Sequence, residues 1–236
     1  MSGTSQQLSE LLAHPSVWRG RSRAAMETIS TGFSALDAGL PGGGWPRHGL
    51  IEILTPQSGV GELYLLLPAL AALSRAQPAR WCTWVSPPHE PYAPALESHG
   101  VALDRMLVVR PPQGLAPHSS QGLAPHSSRR RSDGVHMILW ACEQALRSGA
   151  CGMALAWLPR VSPRAIRRLQ LAAEQGRALG VLFRSQQFAH LASPAMLRVA
   201  LEPMQEPGRH GARLTLIKSR GGSRVPIDVT WTAAAA

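Results

Sequence analysis

The chain has 236 residues, 44% of them hydrophobic, and carries 24 Lys and Arg against 14 Asp and Glu, a formal net charge of +10. That length suits one sizeable α/β core with short tails, and neither a long apolar span nor a basic-then-apolar leader is present, so no membrane segment is expected. The three cysteines, Cys82, Cys142 and Cys151, have no metal-ligand spacing and are an odd number for a disulfide framework, so a reducing cytoplasm and no metal are expected.

In chain order, residues 1–25 form a basic tail around one short helical pattern, Gln6 to Ala13, with Leu8, Leu11 and Leu12 at helical spacing. Pro15 ends it, and Trp18 follows among arginines. The segment is read as docking on a subunit or partner, or as a tail packing on its own domain. A glycine-rich approach then leads to Leu50–Leu54, an apolar run read as a buried strand. A Pro/Gly/Ser turn follows, and Glu62–Ser74 is predicted to be an apolar helix. Strand, glycine loop and helix give the layout of a nucleotide-binding P-loop, G-x-x-x-x-G-K-[ST]. There, backbone amides cradle phosphate, Lys reaches the terminal phosphates and a hydroxyl holds Mg²⁺. With Gly61 as the second glycine, the first falls on Pro56, the lysine on Glu62 and the hydroxyl on Leu63. A carboxylate repels phosphate and leucine cannot ligate Mg²⁺. Lys218, the only lysine, lies far downstream. Gly59 and Gly61 are left with the task of bending strand into helix.

Further strands are predicted at Trp81–Val85, Leu107–Arg110, Met153–Leu158 and Leu179–Phe183. The proline-rich stretch Ser86–Tyr92 runs into a short helix, Ala93–His99. Residues 113–120 are repeated without change at 121–128, and the polar stretch Pro111–Asp133 is expected to be disordered. The repeated His118 and His126 are too widely spaced in such a loop to read as metal ligands. Helix Gly134–Ser148 is read with Met137, Ile138, Ala141 and Ala145 on its inner face. Helix Pro163–Gln175 is read with Leu169, Ala172 and Ala173 inward and Arg164, Arg167 and Arg168 outward. Three short alternating segments, Leu197–Leu201, Arg213–Lys218 and Pro226–Trp231, complete an antiparallel or mixed edge. The predicted class is α/β, a mostly parallel central sheet flanked by helices with C-terminal β-hairpin segments, in one domain over residues 26–232 before a 233–236 tail. Trp18 and Trp45, in loops, read as interface anchors. Trp81, Trp84, Trp140, Trp157 and Trp231 read as core.

The order of pieces resembles the RecA-type ATPase core over roughly residues 28–231. The resemblance is carried by Ile29-Ser30-Thr31-Gly32 with Leu36-Asp37, Glu52-Ile53 with Pro56 and Ser58, Leu146 to Ala150, and Leu216 to Arg220. It implies a Walker B carboxylate where Trp157 stands and a catalytic glutamate where Pro88 stands; only Gln186 or Gln187 remains as a polar sensor. No nucleotide, cofactor or enzymatic activity is therefore expected. The stretches that correspond to RecA's DNA-binding loops, Pro159–Ser162 and Phe188–Pro194, are short, leaving Arg164, Arg167, Arg168, Arg209, Arg213, Arg220 and Arg224 as candidates for DNA or partner contact.

Three blocks are similar to the ImuA proteins of bacterial DNA-damage operons: Gly59 to Leu63 with Leu65 to Leu70, Pro87-Pro88-His89 with Pro91 to Leu96, and Leu107 to Arg110. That resemblance implies a non-catalytic accessory factor of error-prone translesion synthesis in the SOS response. Its partners would be an ImuB-like Y-family polymerase relative, RecA and an alternative replicative-type polymerase, with weak DNA binding besides. Two alternatives stand beside it: a SulA-like inhibitor that binds a tubulin-type division protein, and a DNA-stimulated RecA-type ATPase.

Overall fold

Strand β3 (Gly49–Thr55), buried along its whole length, lies in the middle of an eight-stranded sheet. The structure is a computed structural model that describes residues 26–112, 127–158, 160–204, 210–219 and 225–231. Before β3, a two-stranded ribbon joins β1 (Thr28–Ile29) to β2 (Trp45–Pro46) around helix α1 (Ser34–Gly39). After it come α2 (Leu67–Ser74), β4 (Trp81–Val85), α3 (Ala93–Ser98), β5 (Met106–Val109), α4 (Ser127–Arg147), β6 (Cys151–Trp157), α5 (Pro163–Gln175), β7 (Leu179–Ser185), β8 (Leu197–Pro203), β9 (His210–Lys218) and β10 (Ile227–Trp231). The sheet order is β10-β9-β8-β3-β7-β6-β4-β5. From β8 to β5 the neighbours run parallel; β9 and β10 pair antiparallel.

This corrects the expected RecA-like P-loop core. The sheet is mixed, one flank being an antiparallel meander, and the segment after β3 is not the loop-to-helix junction of a P-loop. The helix expected from Glu62 begins only at Leu67, because Pro68 has no N–H to give and is tolerated only in a helix's first turn. Residues 61–66 are instead stacked turns, closed by Tyr64 N–H to Gly61 O (3.0 Å) and Leu66 N–H to Leu63 O (2.9 Å). A second correction concerns Pro111–Asp133: α4 already starts at Ser127, so the end of that stretch is helical. Residues 113–126, with His118 and His126, lie outside the described residues.

Alternation along the strands splits the interior into two layers. Ile51, Ile53, Met153, Leu155, Val181 and Phe183 face α1, α2 and α3. Leu50, Ala154, Ala156 and Leu182 face α4 and α5, which supply Ile138, Cys142, Leu146, Ile166, Leu169, Ala172 and Ala173. Alanines on β6 and Gly180 on β7 let that second helix pair approach closely; a Cβ on Gly180 would sit 2.6 Å from Leu50 Cδ1. The inner stripe of α4 is thus Ile138, Cys142 and Leu146, and Met137 is exposed, contrary to expectation.

The tryptophans also divide differently from their predicted roles. Trp45, read as a loop anchor, is fully buried, and its indole N–H donates to Leu65 O at 3.1 Å. Trp81 and Trp140, read as core, are 41% and 64% exposed.

All three cysteines are free and buried. Burial, reinforced by the neighbouring Cys151, pushes the Cys82 and Cys142 thiols up to about 12. A raised folded pKa means that these thiols contribute stability fully present below the 9.0 of a free thiol and lost as pH rises toward about 12. Native protein should therefore resist alkylation at neutral pH, react at all three thiols once unfolded in urea, and lose stability through that alkaline window. Fast labelling of the native protein would contradict the burial.

One charged cluster lies inside the fold. The Glu52 carboxylate accepts from Arg184 Nη1 (2.8 Å), Arg198 Nε (2.6 Å) and Ser193 Oγ (3.0 Å), and all three charged side chains are buried. Among the described residues no helix is long and apolar enough to cross a membrane.

Candidate functional site

The turn after β3 is where a nucleotide site would have to be. Gly59 and Gly61 both take positive φ, 83° and 96°, bending the chain back so that its amides point inward. The space those amides frame is filled by Glu62 of the same turn. Its carboxylate accepts from Gly59 N–H (2.8 Å) and Val60 N–H (2.9 Å) and is buried. A P-loop presents such N–H groups to phosphate; here an internal anion has already satisfied them. Pro56 and Ser58, on the strand side of the turn, are exposed, and Leu63 is half-buried against the first core layer.

The other positions of a nucleotide site hold rings. Trp157 is stacked 4.6 Å from Phe183 and lies 5.5 Å from Trp84. Pro88 lines a cavity of ≈ 220 Å³ with Leu63, Tyr64, Trp84, Tyr92 and Trp157. Trp231 of β10 comes against Gly61 and stacks flat on Tyr64 (5.1 Å, 4°), which meets His99 edge-on at 5.7 Å. Structure therefore brings Gly59, Gly61, Glu62, Leu63, Pro88 and Trp157 together around aromatic packing. Converting Glu62 to Ala removes two charge-assisted bonds from the part-buried amides of Gly59 and Val60. We expect it to cost about 2–3 kcal/mol in urea unfolding without creating ATP binding; measurable Mg-ATP affinity in that variant would refute this account of the turn.

A second feature opens on the opposite layer. Between the end of β5, the outer side of α4 and the start of α5 runs a groove of ≈ 860 Å³. Its apolar wall includes Val109, Pro111, Met137, Trp140 and Val161, and its rim carries Arg110, Arg160, Arg164 and Arg168. Arg110 pairs with Glu90, and Arg168 with the buried Glu143 of α4, which also holds Arg147 at 2.8 Å. Arg160 and Arg164 have no carboxylate partner among the described residues. Of the arginines singled out from sequence, Arg164 and Arg168 line this groove, and Arg167 is exposed on the same helix. Arg213 is clasped by Asp228 through two bonds of 2.7 and 2.8 Å. Arg209, Arg220 and Arg224 lie outside the described residues, as do Leu8, Leu11, Leu12 and Trp18.

Sequence reasoning missed Trp140, Met137, Arg110 and Arg160. The signal was present in α4: Ile138, Cys142 and Leu146 recur at four-residue spacing as one buried stripe, which places Met137 and Trp140 beside it rather than in it.

A turn sealed by its own carboxylate, on a scaffold whose accessible chemistry is an aromatic and arginine-rimmed surface, is a structural turn rather than a nucleotide seat. No family model matches the sequence. The chain is 30% identical over 142 residues to the "Cell division inhibitor SulA" of Edwardsiella piscicida, and 31% identical over 134 residues to that of Photorhabdus laumondii. These matches take in 60% and 57% of this chain, which spans 71% and 63% of the two relatives. A crystal structure of SulA from Pseudomonas aeruginosa is 26% identical, with 57% of this chain and 97% of that one covered, at a TM-score of 0.41. The chain belongs to the SulA family of cell division inhibitors.

This membership corrects the expected place among the ImuA proteins. With that place go the ImuB-like polymerase relative, RecA and the alternative replicative-type polymerase as partners. The relatives are named for inhibiting cell division, not for assisting a polymerase.

Proposed function

We propose that this protein inhibits cell division by binding a tubulin-type division protein and withholding it from assembly, as part of the response to DNA damage, with no nucleotide cycle of its own. The observation that carries this reading is the 30% identity to the Edwardsiella piscicida inhibitor across 71% of that protein's length. The Glu62-filled turn supports the absence of a nucleotide cycle, because the amides that would bind phosphate are already engaged. In this reading residues 26–232 act as one scaffold, and the tail with Leu8, Leu11, Leu12 and Trp18 adds a docking segment to it.

Two measurements test the proposal. Induced expression in a rod-shaped bacterium should give long undivided filaments within a few generations. Purified protein should lower the polymer that a purified tubulin-type division protein sediments in the presence of GTP, with the effect saturating near equimolar ratio. Normal cell length at high expression, together with undisturbed polymer, would overturn it. Removing residues 1–25 should weaken inhibition; an unchanged titration would remove the tail from the docking surface.

A further inference from the structure

We infer that the groove between β5, α4 and α5 is the docking site for an acidic, apolar-faced segment of a partner protein. The inference rests on the inhibitory reading above and names the surface through which it would act.

The groove's floor and its rim point to the same occupant. Trp140 is 64% exposed and Met137 45%, and with Val109, Pro111 and Val161 they form an apolar wall open to solvent. Exposed Trp and Met side by side are costly in water and are the residue types that anchor protein interfaces. The rim then selects by charge. Of its four arginines, Arg110 and Arg168 already have Glu90 and Glu143, whereas Arg160 and Arg164 are uncompensated among the described residues. Arg167 lies exposed on the same helix, and the whole chain carries +10. A segment that seats a branched or aromatic side chain on Trp140 and places carboxylates over Arg160 and Arg164 would satisfy both features. DNA fits less well. Its affinity comes from neutralising many phosphates, and two unpaired arginines beside an apolar wall leave that wall uncovered.

The test uses the full-length protein and two probes. One is a short fluorescein-labelled peptide alternating glutamate with leucine or phenylalanine; the other is the purified tubulin-type division protein. Fluorescence anisotropy should show saturable peptide binding that weakens at high salt. Trp140→Ala and the pair Arg160→Glu with Arg164→Glu should each lower peptide affinity about tenfold or more, with unchanged circular dichroism. Arg75→Glu, an exposed change at the end of α2 on the opposite side of the sheet, should bind as the parent does. The same groove variants should lose inhibition of the division protein in parallel.

Absence of peptide binding to the parent protein, or peptide affinity unaltered by the groove variants, would overturn the groove. So would single-stranded DNA that binds more tightly than the peptide and is lost in the same variants. Inhibition retained in groove variants that no longer bind peptide would overturn the groove while leaving the inhibitory function standing. A parent that binds peptide through the groove but leaves the division protein untouched would instead overturn the function.

Discussion

Replacing Glu52 by Gln is expected to lower folding stability by about 3–5 kcal/mol, a large share of the roughly 5–15 kcal/mol that holds a domain together. Glu52 is the only carboxylate in contact with the two buried guanidinium groups of Arg184 and Arg198 among the described interactions. Gln has almost the same shape but no charge, so both arginines would be left buried without a counter-ion. The arginines are not equivalent. Arg198 also donates to three backbone carbonyls, Phe188 O (3.0 Å), Ala189 O (3.1 Å) and Leu191 O (2.7 Å), and so ties the segment after β7 to the sheet. Arg184 has one long contact to a carbonyl, Val161 O at 3.5 Å, and stands over the Phe188 ring. Arg198→Met should therefore cost more than Arg184→Met, since it orphans carbonyls as well as Glu52. Joining Glu52→Gln to Arg184→Met should cost less than the sum of the two, because the second change removes a charge that the first has left unpaired. Urea unfolding followed by circular dichroism gives these values. A Glu52→Gln shift below about 1 kcal/mol would show that the cluster is solvated in solution and contributes little.

Glu52 also shows where sequence stops being informative. A glutamate in the middle of Leu-Ile-Glu-Ile-Leu announces an oddity in a buried strand, but its partners lie 132 and 146 residues away. Only the strand order places β7 and β8 on either side of β3. Elements were legible where periodicity or punctuation was local. Trp81–Val85 and Pro163–Gln175 stand as the pattern predicts, the latter because Ser162 caps its first turn, accepting from Ala165 N–H at 3.3 Å. The start of α2 was legible too, through Pro68, but the P-loop pattern outweighed it. The tryptophans misled because the question was which face each occupied, and that depends on neighbours distant in sequence. Trp45 sits on the short strand β2, inside the first core layer with its indole on Leu65 O, whereas Trp140 sits on a helix whose inner stripe is taken by Ile138, Cys142 and Leu146. The three blocks that suggested ImuA encode a turn running into the apolar α2, a proline-rich strand end running into α3, and strand β5. Such pieces specify backbone, and relatives with different partners can keep them equally.

The turn after β3 gives the second large effect. Gly61→Ala is expected to cost about 2–4 kcal/mol, and Gly59→Ala only about 1–2 kcal/mol. Both glycines have positive φ, so both substitutions force an L-residue into the left-handed region. Their surroundings differ. A Cβ on Gly59 meets nothing within 4 Å, whereas one on Gly61 falls 2.7 Å from Trp231 Cη2. To relieve that clash Trp231 must leave Tyr64, which forfeits a flat stack and loosens the end of β10, a strand paired on one side only. The difference between the two variants thus isolates the steric role of Gly61 from the conformational role that both glycines share. Urea unfolding followed by circular dichroism reads both, and repeating it in a Trp231→Leu background removes the ring that the Gly61 Cβ would meet. Equal losses would mean that Gly61 is needed only for its φ. A larger loss at Gly61 that disappears in the Trp231→Leu background would mean that the second glycine of the P-loop pattern serves here to admit an indole ring. A turn committed to that packing keeps its second glycine for an indole ring.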